Sequence, residues 1–167
     1  VDFETSSDTE VLLKGYIKYG ASFLKKINGM FSFSIYDEVE KKLVLVRDRF
    51  GVKPLHYMIE KNIFYFSSEI KPLIKVKDNI EKNINIYNSF FHETATDFND
   101  ETFIKDIYQV EKGSVIEIDN GKVTKKKWYY GNDYCFDESV FKSKEKTLEI
   151  VEDLLTSAID LRMRADV

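Results

Sequence analysis

The chain is poor in the residues that punctuate, staple or coordinate. Its 167 residues include 7 glycines, 2 prolines, 2 histidines and 1 cysteine. So little glycine and proline leaves no material for long flexible linkers or collagen-like repeats. A single thiol, Cys135, excludes an internal disulfide framework and a four-thiolate zinc site, and it fits a reducing compartment. With only His56 and His92 beside it, no metal site is expected. No apolar stretch approaches the roughly 20 residues that cross a bilayer, and Val1-Asp2-Phe3-Glu4 lacks the basic and hydrophobic segments of a signal peptide. Neither sign of charge dominates. Asp and Glu number 29 against 25 Lys and Arg, a net charge of −4, so neither nucleic acid nor a membrane is an expected partner. The expectation is a cytoplasmic protein, and the absence of an initiating methionine suggests an internal piece of a longer one.

Apolar residues are plentiful. Hydrophobic residues make up 43% and aromatics 14%, mostly 13 Phe and 10 Tyr, which is enough apolar area for a packed core. After Ser6-Ser7-Asp8, apolar residues at Val11, Leu12, Tyr16, Ile17, Phe23, Leu24 and Ile27 predict a helical face interrupted at Gly20, capped by Ser7 or Asp8. From Met30 to Tyr36 the period is two, and Leu43 to Val46 is a buried-strand run, so the two predict an antiparallel hairpin across a polar turn. Leu55 to Ile59 and Ile63 to Ser67 predict a second strand pair, followed by a short helix from near Glu69 with Pro72 in its first turn. Residues 78–106 are the least regular, although Ile84, Tyr87, Phe90 and Phe91 would face inward from a helix. Asn120-Gly121 between two alternating runs predicts a third hairpin. Beyond Tyr130 a linker is expected, then a long amphipathic helix striped by Leu148, Val151, Leu155, Ala158 and Ile159. Lys125-Lys126-Lys127 reads as a solvated strand edge. The class is α+β.

The usual catalytic constellations are missing. There is no glycine-rich phosphate loop, and Cys135 sits in the expected linker without an evident activating base. His56 reads as a strand histidine satisfied by a neighbour, and His92 as a solvated one. Two segments stand out. Thr5-Ser6-Ser7-Asp8-Thr9-Glu10 reads either as a plain helix cap or as a carboxylate placed for a ligand ammonium. Arg47-Asp48-Arg49-Phe50-Gly51-Val52-Lys53-Pro54-Leu55 reads on composition as a turn in which Arg47 and Asp48 pair locally while Gly51 and Pro54 set the backbone.

Three ordered motifs carry a resemblance. They are Ile27-Asn28-Gly29-Met30-Phe31-Ser32-Phe33 with its flanks, the Arg47 to Tyr57 segment, and Ser67-Ser68-Glu69-Ile70-Lys71-Pro72-Leu73. Together they resemble the glutamine-hydrolysing asparagine synthetases, within the wider class of N-terminal-nucleophile glutamine amidotransferases. Leu161-Arg162-Met163-Arg164-Ala165-Asp166-Val167 and Val110-Glu111-Lys112-Gly113-Ser114 fit the same family, though Glu111-Lys112 replaces its usual prolines. The resemblance implies a four-layer sandwich with two antiparallel sheets, incomplete at its N-terminus. Residues 1–130 would be the later part of a glutaminase domain, 131–142 a linker, and 143–167 the first helix of an ATP-dependent α/β synthetase domain.

In that family an N-terminal cysteine attacks the glutamine amide, an Asn-Gly pair forms the oxyanion hole, and the released ammonia amidates an ATP-activated aspartate. Val1 is not that cysteine, and the family's N-G-E segment and S-G-G-x-D-S loop would lie before Phe3 and after Val167. The expectation is a chain unable to catalyse alone, with no catalytic residue, metal or cofactor of its own. ATP and Mg are implied for the full-length enzyme only, and a homodimer is compatible with the family. Asp8 matches the aspartate that holds the α-ammonium of glutamine, which a charge-assisted hydrogen bond would select. Arg47, Asp48, Gly51 and Pro54 match a shared structural loop near the site, while Glu69 and Lys71 match without an assigned role. Two alternatives remain: an amidotransferase acting on another carboxylate, such as a surface-polysaccharide sugar acid, and a non-catalytic module that binds glutamine or a partner.

Overall fold

The computed structural model describes residues 2–94, 99–131, 141 and 143–163. The chain divides into two compact units, residues 1–130 and 131–167. In the first, helix α1 (Asp8–Tyr19) is capped by the Ser7 hydroxyl, which accepts from the Thr9 amide. Gly20, at φ 59°, ends α1 and starts a 3-10 helix, Gly20–Lys26. Strands β1 (Ser32–Asp37) and β2 (Lys42–Arg47) form the first hairpin, and β3 (His56–Glu60) and β4 (Ile63–Ser67) the second. Helix α2 (Ile70–Val76) carries Pro72 in its first turn, where the missing amide hydrogen costs nothing. Helix α3 (Ile84–Glu93) follows, then the two-residue strand β5 (Tyr108–Gln109) and the hairpin of β6 (Ser114–Asp119) and β7 (Lys122–Lys127). That hairpin turns at Asn120 and Gly121, both with positive φ, as a two-residue primed turn requires.

The strands form two antiparallel sheets, ordered β1-β2-β6-β7 and β4-β3-β5. Alternation along the strands distributes the core into three sheets of contact. Val44, Val46 and Val115 face Leu24 of the 3-10 helix and Trp128. Their neighbours Leu45 and Ile116 point the other way and meet Tyr57 of β3. On the far face of β3, Met58 packs on Leu73 of α2. The order is therefore helix, sheet, sheet, helix, the four layers expected, in an α+β fold.

Two expectations need correction. On α3 it is Ile86 that is buried, whereas Ile84 and Phe91 are exposed at 60% and 71%. Phe90 and Phe91 instead join Tyr87 and Phe103 in an aromatic group with centroids 5.0–6.3 Å apart. Strand β5 follows the irregular stretch, in a segment for which the sequence predicts no element; two residues carry no periodicity, and only the pairing with β3 defines it. The second correction concerns Arg47 and Asp48, taken up below.

His56 is buried and its Nδ1 lies 3.2 Å from the Ser68 carbonyl, while His92 is exposed in the last turn of α3. The β7 lysines pair individually: Lys125 with Asp100, Lys126 with Glu117 and Lys127 with Glu111. Glu117 is held below the usual carboxylate range, chiefly by its hydrogen bond from Lys126. In the second unit, helix α4 (Lys144–Arg162) is capped by the Ser143 hydroxyl and has exposed apolar residues along its length, including Leu148, Leu155 and Ile159. Cys135 and the expected linker core lie outside the described residues.

Candidate functional site

The start of α1 is built by Glu10. Its carboxylate accepts the amides of Glu4 and Thr5 and the Thr5 hydroxyl, and it pairs with Lys14 one turn on. Lys14 first, then the Thr5 and Glu4 donors, hold the Glu10 carboxyl at about 2. Glu10 thus folds residues 4–5 back over the helix start instead of closing a reciprocal box with Ser7. Asp8, at the first helical position, is left exposed, and among the described residues no hydrogen bond or ion pair engages its carboxylate.

Asp8 lines a groove of about 370 Å³ between α1 and the segment entering β1. Its walls include Val11, Phe23, Asn28, Gly29, Met30 and Phe31. Phe23 reaches this position because Gly15 of α1 has no side chain; a Cβ there would overlap the ring. The groove sets the Asp8 carboxylate over a largely apolar floor, with Lys26 and Asn28 also in its lining, and a carboxylate so placed suits the ammonium group of a small ligand. Asp8 was visible in the sequence. The Asn28–Phe31 wall was visible only as part of a strand motif, since nothing local says that it meets α1.

The Arg47 loop is built from the inside. Arg47 and Asp48 are 8% and 1% exposed, and each is satisfied by backbone. The Arg47 guanidinium donates to the carbonyls of Lys53 (2.9 Å), Val110 (2.8 Å) and Gly51 (2.8 Å) and to Gln109 Oε1 (3.1 Å). The Asp48 carboxylate accepts from the amides of Phe50 (3.0 Å), Val52 (3.1 Å) and Lys53 (2.9 Å). Local pairing is therefore replaced by a division of labour in which the fork gathers carbonyls and the carboxylate gathers amides. Gly51 turns at φ 70°, and a Cβ there would stand 3.1 Å from Arg47 Cζ. Pro54 closes the loop, its carbonyl accepting the Ser32 hydroxyl at 3.2 Å.

Arg47 and Gly51 line a second cleft of about 390 Å³ with Gln109, Glu111 and Lys112. They do not share the Asp8 groove. The two are connected through backbone, because the Asp48 amide donates to the Phe31 carbonyl at 2.9 Å. Neither Gln109 nor Val110 could be assigned to the loop from the sequence, since they lie 62 and 63 residues away from Arg47. Among the described residues no three His, Cys, Asp or Glu side chains gather to hold a metal ion. No helix among them is long and apolar enough to cross a membrane.

The family model described as a glutamine amidotransferase domain matches residues 1–129, the part of the chain that holds the two antiparallel sheets and the helices that flank them. The chain belongs to this family. It is 36% identical over 172 residues to a Methanocaldococcus jannaschii protein provisionally named a glutamine-hydrolysing asparagine synthetase, covering 100% of this chain and 32% of that one. It is 33% identical over 169 residues to asparagine synthetase (glutamine-hydrolysing) 1 of Bacillus subtilis, covering 99% and 26%. The chain thus spans about a third or less of the length of these relatives. Among solved structures, glutamine phosphoribosylpyrophosphate amidotransferase from B. subtilis shares the fold, with a TM-score of 0.53 at 20% identity over 78% of this chain and 24% of that one.

Proposed function

We propose that this chain is the glutamine-recognising part of a glutamine-hydrolysing, asparagine synthetase-like enzyme, and that Asp8 holds the α-ammonium of glutamine. The observation that carries the reading is the unengaged Asp8 carboxylate at the rim of an apolar groove, in a chain of this family. Glutamine has both complements, an ammonium for the carboxylate and a short methylene chain for the floor. The intact enzyme would use ammonia from the glutamine amide to amidate ATP-activated aspartate. Its nucleophile, its nucleotide site and any magnesium ion would belong to parts of the protein other than the residues described, which gather no metal site. The work would take place in the cytoplasm, where ATP and both amino acids are available.

Calorimetric titration of the intact protein, its nucleophilic cysteine replaced by alanine so that glutamine is bound and not hydrolysed, with L-glutamine and with 4-carbamoylbutanoate, its analogue lacking the α-amino group, tests the assignment. Glutamine should be preferred by about tenfold to a hundredfold, and Asp8→Asn should erase the preference. Equal affinity for the two ligands with Asp8 in place would contradict it.

A further inference from the structure

The wall of the Asp8 groove is held from behind by the Arg47 loop. Met30 and Phe31 line the groove immediately before β1. The Phe31 carbonyl accepts from the Asp48 amide, and the next residue, Ser32, bonds the Pro54 carbonyl from its side chain. The Phe31 ring stacks on Trp128, whose indole N–H donates to the Arg47 carbonyl. Three successive fixings therefore run from the groove wall to Arg47, Asp48 and Pro54. None of these loop residues lines the groove itself.

We propose that Asp48 is a positioning residue for glutamine, setting the place of Met30 and Phe31 through the hydrogen bond from its amide to Phe31. The inference rests on the glutamine reading of the groove. Asp48 suits the task because its carboxylate is 1% exposed and collects three amides, and its own carbonyl accepts those of Gly51 and Gly113. With donors converging from residues 50–53 and 113, its backbone has one orientation, and the amide that meets Phe31 is aimed with it. An asparagine at this position keeps one acceptor oxygen but places an NH₂ group against one of these amides, donor facing donor. The loop must then open, and the Phe31 carbonyl loses its fixed partner.

The test is steady-state kinetics of the intact enzyme with glutamine, and in parallel with ammonia replacing it. Asp48→Asn should raise KM for glutamine about tenfold while leaving the ammonia-driven rate within about twofold. Leu73→Ala, which weakens the core between β3 and α2, should leave the glutamine KM unchanged. A proportional fall of both rates in Asp48→Asn with KM unaltered would overturn the proposal, since that is what general loosening produces. If Asp48→Asn fails to fold, Ser32→Ala removes a milder tie to the same wall and should raise the glutamine KM about twofold to threefold; an unchanged KM there overturns the proposal equally. Absence of any glutamine-dependent turnover in the unsubstituted enzyme would bring down the glutamine reading, and this inference with it.

Discussion

The indole N–H of Trp128 donates to the carbonyl of Arg47 at 3.3 Å, joining the end of β7 to the end of β2 across 81 residues of sequence. Trp128 is 6% exposed, and its ring stacks on Phe31 with centroids 6.2 Å apart. The pair locks the outer core of the larger sheet to the loop that follows β2. Trp128→Phe should preserve the stack and lose the hydrogen bond, at about 1–2 kcal/mol. Trp128→Ala should cost about 3–5 kcal/mol through the cavity it leaves. Urea unfolding followed by far-ultraviolet circular dichroism measures both, and equal costs would refute the separation.

Arg47 should not be replaceable by lysine. Its guanidinium serves three carbonyls and one amide oxygen in fixed directions, whereas an ammonium is a shorter point donor. Arg47→Lys should destabilise the protein by about 2 kcal/mol, because at least two of these buried or half-buried carbonyls lose their donors. A denaturation midpoint equal to that of the unsubstituted protein would show that the loop holds without the fork.

Acid should loosen the start of α1. The Glu10 carboxyl is depressed from 4.5 to about 2 in the folded protein, chiefly by Lys14. A depressed pKa contributes stability that is present above the unfolded value of 4.5 and lost as pH falls through about 2. The amides of Glu4 and Thr5 should therefore lose their hydrogen-bonded chemical shifts in that interval, and Glu10→Gln should remove the dependence. A Glu10 carboxyl titrating near 4.5 would contradict the assigned contacts.

The triple lysine edge should keep the larger sheet from self-pairing. Lys125, Lys126 and Lys127 lie on β7, an edge strand, and each is tied to an acidic partner. Replacing all three with threonine should promote association, visible as rising light scattering on concentration, since an uncharged edge invites strand addition. Unchanged scattering would assign the lysines no such role.

Local patterns made most of the fold legible. Period-two alternation gave β1, β6 and β7, a continuous apolar run gave β2, Asn120-Gly121 gave a hairpin, and Ser7 gave a cap, because each is decided by residues a few positions apart. The inward face of α3 was misread because Phe90 and Phe91 satisfy one another at 5.4 Å instead of entering the core, and helical spacing does not distinguish the two. Asp8 stood out as a candidate through its motif, and the structure leaves its carboxylate exposed at the groove. The bonds from Arg47 to Gln109 and Val110, and the approach of Phe31 to Asp48, were not, because tertiary packing alone brings such distant residues together.

The most direct measurement is the rate of glutamate release from glutamine by the intact enzyme, with and without Asp8→Ala. The account predicts turnover in the unsubstituted enzyme and a fall in kcat/KM of about tenfold to a hundredfold in the variant, with the fold retained by circular dichroism. Glutamate release at an unchanged kcat/KM in Asp8→Ala would contradict it.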